Sequence, residues 1–137
     1  MFTIVLVRRF DARQGLESAV RRASGRDPVR EFAVTMRVGV TFDDEQLDAD
    51  GRYVDTDTFD DILDSYVDRL SRSVWTTLFT QRPTFEIVSR WLYEELSAHI
   101  TQMAFVSLVN ETIGVETSYV PGGTTEHLPR LSGLTKR

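Results

Sequence analysis

The spacing of apolar residues along this chain runs from two to nearly four and back to two, and each change of rhythm marks an element. Thr3, Ile4, Val5 and Val7, bounded by Arg8 and Arg9, predict a first strand over residues 3–9. From Asp11 to Arg26 the rhythm breaks, and Gly15, Gly25 and scattered arginines predict a loop or short helical connection. Between Val29 and Phe42, Phe32, Val34, Met36, Val38 and Val40 alternate with Ala33, Thr35, Arg37 and Gly39. That alternation predicts a long strand with one buried face, in which Gly39 marks a bulge or bend. Asp43, Asp44, Glu45, Asp48 and Asp50 then lead to Gly51. They lack the ligand spacing, central glycine and closing glutamate of a calcium loop, so they read as a solvated hairpin tip.

After a short β-like stretch at Arg52–Val54, the rhythm becomes helical. Phe59, Ile62, Leu63, Tyr66, Val67 and Leu70 line one face of a helix over 57–72, capped by Asp57 or Thr58. Residues 76–82 read as a connection. Pro83-Thr84 opens a second helix whose apolar face carries Phe85, Val88, Leu92, Leu96 and His99, widened by Trp91. Met103–Val109 and Gly114–Val120 predict a closing strand pair around the turn Asn110–Ile113, and the Gly- and Pro-rich tail follows from Pro121. The order is ββααββ, an α+β pattern in which each helix needs a sheet to cover its apolar face.

At 137 residues, 41% hydrophobic and 27% charged, the chain fits one domain over 1–120 followed by a tail over 121–137. A net charge of −5 argues against binding nucleic acid or an anionic membrane, both of which need a cationic field. With no cysteine, disulfides, thiolate nucleophiles and Cys-ligated zinc are excluded. Lys136 is the single lysine, so lysine-base or Schiff-base chemistry would have to use the tail. No leader pattern and no membrane-spanning run is visible, and a cytoplasmic location is the expectation. His99 reads as a packing residue or helix-dipole partner, and neither His127 nor Ser24 has the support of a triad.

Several short motifs in a fixed order give the chain a family resemblance. Pro83-Thr84-Phe85-Glu86 and the helix it opens resemble the Pro-Thr-x-Glu segment of the 6-pyruvoyltetrahydropterin and 6-carboxytetrahydropterin synthases. Gly51-Arg52-Tyr53-Val54-Asp55 is similar to another family segment, with Thr56 where the family has Phe. Glu111-Thr112 falls where that family carries the glutamate that anchors a pterin. From sequence alone Glu111 is an ordinary strand-end acid; the resemblance makes it the anchor, able to accept two hydrogen bonds from the N–H edge of the ring. Thr84 is both a helix N-cap and a candidate ligand contact.

The resemblance also implies a tunnelling fold: a four-stranded antiparallel sheet with two helices on one face, three subunits closing a barrel and two trimers forming a homohexamer. Departures fall on the chemistry. The family's zinc-binding histidines correspond to Gln14, Pro28 and Arg30, its nucleophilic cysteine to Ser24 and its Asp-His dyad to Ser71-Arg72. Proline offers no donor, glutamine is a poor zinc ligand and arginine adds charge where a dication would sit. No metal or other cofactor is therefore expected, and Arg30 becomes a candidate for receiving an anionic group of the ligand. The expectation is a pterin-binding homolog without zinc-dependent synthase activity. The alternatives are a metal-free lyase or aldolase on a dihydropterin side chain and a noncatalytic sensor or partner protein.

Overall fold

Alternation along the strands decides how the sheet is built. The computed structural model describes residues 1–16, 30–47, 49–51 and 56–122. Strand β1 (Phe2–Arg13) pairs antiparallel with β2 (Glu31–Phe42) along its whole length, Phe2 opposite Phe42 and Arg13 opposite Glu31. After β2 come helix α1 (Thr56–Arg72), the single turn α2 (Trp75–Leu78) and helix α3 (Phe85–Ser97). Strands β3 (Met103–Asn110) and β4 (Val115–Tyr119) complete a four-stranded antiparallel sheet in the order β1-β2-β3-β4.

One face of this sheet packs on the helices. Phe32, Val34, Met36, Val38, Val40 and Phe42 project from β2 into a core shared with Leu6, Val106 and Leu108 of its neighbours. Phe59, Leu63, Tyr66 and Leu70 of α1 and Val88, Leu92 and Leu96 of α3 close that core from the other side. Burying each such side chain contributes about 1.5–3 kcal/mol relative to exposing it, which is why the helices lie on this face. Arg8 fastens β1 to α1, its guanidinium 2.7 Å from both Asp60 and Asp64. Those bonds, Asp64 first, hold the Arg8 pKa above its ordinary value.

The remaining alternate residues face away from the helices. At Gly39 the register of β2 against β3 shifts, and the ring of Phe105 lies where a Gly39 side chain would project. The bulge expected there is present.

Several boundaries differ from the sequence reading, each for a local reason. Strand β1 continues through Asp11, Ala12 and Arg13 because β2 supplies partners for all three, and Ala12 is buried. Helix α1 starts at Thr56, which places Thr58 inside the helix rather than at its cap. The connection at 76–82 begins with α2, whose Trp75 is fully buried and donates its indole N–H to the Leu70 carbonyl at 2.9 Å. Helix α3 ends at Ser97, so His99 is exposed beyond it and Ile100 takes the buried place. The acidic run forms a 3-10 turn at Asp44–Gln46, closed by the Asp43 N–H donating to Gln46 Oε1 at 2.9 Å. Gly25, Ser24, Pro28 and Val29, the Arg52–Val54 stretch, Asp55, the Asp57 side chain, His127 and Lys136 lie outside the described residues. No helix among the described residues is long and apolar enough to cross a membrane.

Candidate functional site

The turn after β3 is built around Asn110. Its buried side-chain oxygen accepts from the N–H groups of Thr112 (3.1 Å) and Ile113 (3.3 Å), and its carbonyl accepts from the Gly114 N–H at 2.8 Å. This is the local bonding that makes asparagine a turn former. Gly114 has φ +72°, a conformation that favours glycine, and it returns the chain into β4. The turn is also tied to β2: the Glu111 N–H donates to the Ala33 carbonyl (2.8 Å) and the Ala33 N–H donates to Thr112 Oγ1 (3.0 Å).

Those bonds fix the backbone of Glu111 beside Ala33 and leave its side chain on the face away from the helices. There Thr35, buried on β2, donates its hydroxyl to Glu111 Oε2 at 2.7 Å. Glu111 Oε1 has no hydrogen-bond partner among the described residues. Glu111 lines an open hollow of about 300 Å³ with Arg9, Phe10, Asp11, Ala33, Val34 and Thr35. The register explains the assembly, since Arg9 lies opposite Thr35 and Asp11 opposite Ala33. A hollow of this size is at the lower end of the range for small-molecule sites.

A second polar group lies one row further along the same face. Glu116 of β4 accepts from Arg37 at 3.1 Å and from the Ser107 hydroxyl. The Ser107 bond first, and Arg37 after it, hold the Glu116 carboxyl below the usual carboxylate range.

Thr84 and Arg30 occupy other places. Thr84 caps α3, its hydroxyl accepting from the Ile87 N–H at 3.2 Å, so the capping role read from sequence is met. Arg30 is exposed, with its guanidinium 5.5 Å from the centroid of the Phe32 ring. Phe32 belongs to the helix-covered face and meets Phe85 edge-on at 6.4 Å, which makes Phe85 a packing residue. Neither Thr84 nor Arg30 lines the Glu111 hollow, so one chain by itself does not bring the three together.

The described positions that resemble zinc and catalytic residues carry other duties. Gln14 donates its amide to the Pro83 carbonyl at 2.9 Å, holding the segment that leads into α3. Arg72 pairs with Asp68 at 2.7 Å on its own helix and Ser71 donates to the Asp68 carbonyl at 3.3 Å. Among the described residues no three His, Cys, Asp or Glu side chains come close enough to hold a metal. Of the described positions, Gln14 has its amide tied to a carbonyl and Arg30 has its guanidinium on an aromatic ring, and neither supplies a zinc ligand.

Thr35, Arg9 and Asp11 were not singled out as site residues by the sequence. The alternation on β2 put Thr35 on the face opposite the core, but the partners of that face depend on pairing register.

Sheet order and helix placement are those of a tunnelling-fold domain. The solved structure of 6-pyruvoyl tetrahydropterin synthase from Caenorhabditis elegans matches it with a TM-score of 0.66. The match covers 88% of this chain and 96% of that one at 15% sequence identity, a likeness that shows the fold. No family model matches the sequence, and no curated protein matches it at a significant level.

Proposed function

We propose that this protein binds a pterin or a related fused pyrimidine, with Glu111 as the anchor, and that it lacks zinc-dependent synthase chemistry. The observation that carries the reading is the state of the Glu111 carboxylate. One oxygen is oriented by Thr35, the Glu111 N–H and Thr112 Oγ1 tie the turn to Ala33, and Glu111 lines an open hollow. A carboxylate held in this way is prepared to accept from the adjacent N–H groups of such a ring without first being ordered. Thr84 belongs to this reading as a contact supplied by a neighbouring copy. Exposed apolar residues at both edges of the sheet, Phe2 and Val7 on β1 and Ile113 and Val115 beside and on β4, support assembly of several copies into a closed ring.

The test is binding of a panel of pterins by wild-type protein and Glu111→Gln. Charge-assisted hydrogen bonds contribute about 1.5–3 kcal/mol, so the substitution is expected to weaken binding roughly 10- to 100-fold. Equal affinity in the two proteins would refute the anchor. Product analysis with dihydroneopterin separates binding from turnover: release of the side chain would establish a lyase or aldolase instead. Purification without an affinity tag should yield far less than one zinc per chain, and near-stoichiometric zinc would overturn the metal-free reading.

A further inference from the structure

We propose that Arg9 is the specificity-determining residue of the Glu111 hollow and receives an anionic group, a carboxylate or phosphate, carried by the ring that Glu111 holds. The proposal rests on the reading of Glu111 as a ring anchor. Arg8 and Arg9 are neighbours in sequence, but the pleat of β1 sends them to opposite faces. Arg8 is committed to Asp60 and Asp64 of α1. Arg9 lies opposite Thr35, the residue whose hydroxyl orients Glu111, and lines the same hollow.

The other described arginines near the site are engaged. Arg37, also on the open face, pairs with Glu116, Arg13 donates to the Arg72 carbonyl, and Arg30 stacks on Phe32. Arg9 is exposed and has no hydrogen bond or ion pair with any described residue. The anion-receiving role that the sequence suggested for Arg30 thus falls to Arg9 within a single chain.

The carboxylates of the hollow dictate which end can take an anion. Asp11 and Glu111 belong to one cross-strand row with Ala33 between them, their backbones two strand spacings or roughly 10 Å apart. Ala33 offers the smallest side chain in that row, a low floor over which a flat ring can lie. Both acids repel an anionic substituent, so it is accepted only where the guanidinium stands, one row along. Arginine suits this role because its planar fork matches the oxygens of carboxylate and phosphate.

Two ligand pairs test the idea: pterin against pterin-6-carboxylate, and dihydroneopterin against its monophosphate, each titrated into wild type, Arg9→Gln and Glu111→Gln. Wild type should prefer the anionic member of at least one pair by about tenfold at low salt. The pair with the larger preference identifies the anion. In Arg9→Gln the two members should bind equally. In Glu111→Gln both should weaken together. A wild type without the preference, or an Arg9→Gln protein that keeps it, overturns the role of Arg9 while leaving Glu111 as anchor. If wild type binds no pterin at all, the anchor reading fails instead. Arg9 is then judged by NMR: pyrophosphate should shift its Nε–H saturably while Arg37 stays still, and no such shift would overturn the proposal.

Discussion

Gly39 shows how much one hydrogen atom in place of a side chain can matter. A Cβ built there would come within 2.1 Å of the Phe105 ring, so the ring lies flat over the glycine on the open face of the sheet. Gly39→Ala forces that ring aside and is expected to cost about 1–3 kcal/mol in urea denaturation. Adding Phe105→Leu should recover part of the loss. At Glu116 the residue scale sets a pH dependence. Its folded carboxyl titrates below the unfolded one, so its stabilisation is complete above the ordinary value of about 4.3 and is lost as pH falls through the folded value. The group is half exposed, so the effect is small, but wild type should lose more stability than Glu116→Gln on acidification below about pH 5. Glu111 could be singled out in the sequence through its resemblance to the pterin anchor. Thr35, Arg9 and Asp11 could not, because their meeting with Glu111 depends on strand register, which is fixed by pairing between segments far apart in the chain.

Between elements, the contact of α1 with α3 turns on Tyr66, whose hydroxyl donates to Glu95 at 2.9 Å while its ring meets Trp91 edge-on. Tyr66→Phe keeps the ring and removes the bond, an expected loss of about 1 kcal/mol in thermal or urea unfolding. Burial, and next the Glu95 bond, push the Tyr66 hydroxyl up. Its contribution is therefore fully present below the unfolded value of about 10 and is lost as pH rises through the folded value. Tyr66→Phe should abolish this part of the alkaline destabilisation. Leu92, fully buried on α3, sets the scale for the core: Leu92→Ala is expected to cost about 2–5 kcal/mol. The helices and the long β2 strand were legible because their apolar rhythm is sustained over many residues. The end of β1 was not, since Asp11 and Arg13 look like loop residues until β2 supplies their partners. Turn α2 was too short to show a rhythm, and Trp75, one of the largest buried side chains, went unread with it.

At the scale of the whole molecule, β1 and β4 form the two edges of the sheet, and among the described residues Val74 pairs with the β1 edge at Arg13 alone. Val115 on β4 is 50% exposed and Phe2 on β1 is 46% exposed, an arrangement that favours edge-to-edge pairing of copies. Sedimentation should show wild type larger than one chain, and Val115→Lys, which puts a charge on that edge, should shift it toward the monomer. A wild type that sediments as a single chain at micromolar concentration would refute the assembly. The fold itself could be anticipated from element order and motif order, whereas assembly could be inferred only through family likeness, because an edge is recognised once the sheet order is known. Gln14 stands at a position that resembles a metal ligand, but its amide is the clasp on the Pro83 carbonyl just ahead of α3. Converting it to histidine to introduce a metal ligand would release that clasp and loosen the start of the helix. Building a metal site at this position therefore requires a new donor for Pro83 as well as ligands, and a single substitution leads to a weaker scaffold before it leads to a metal site.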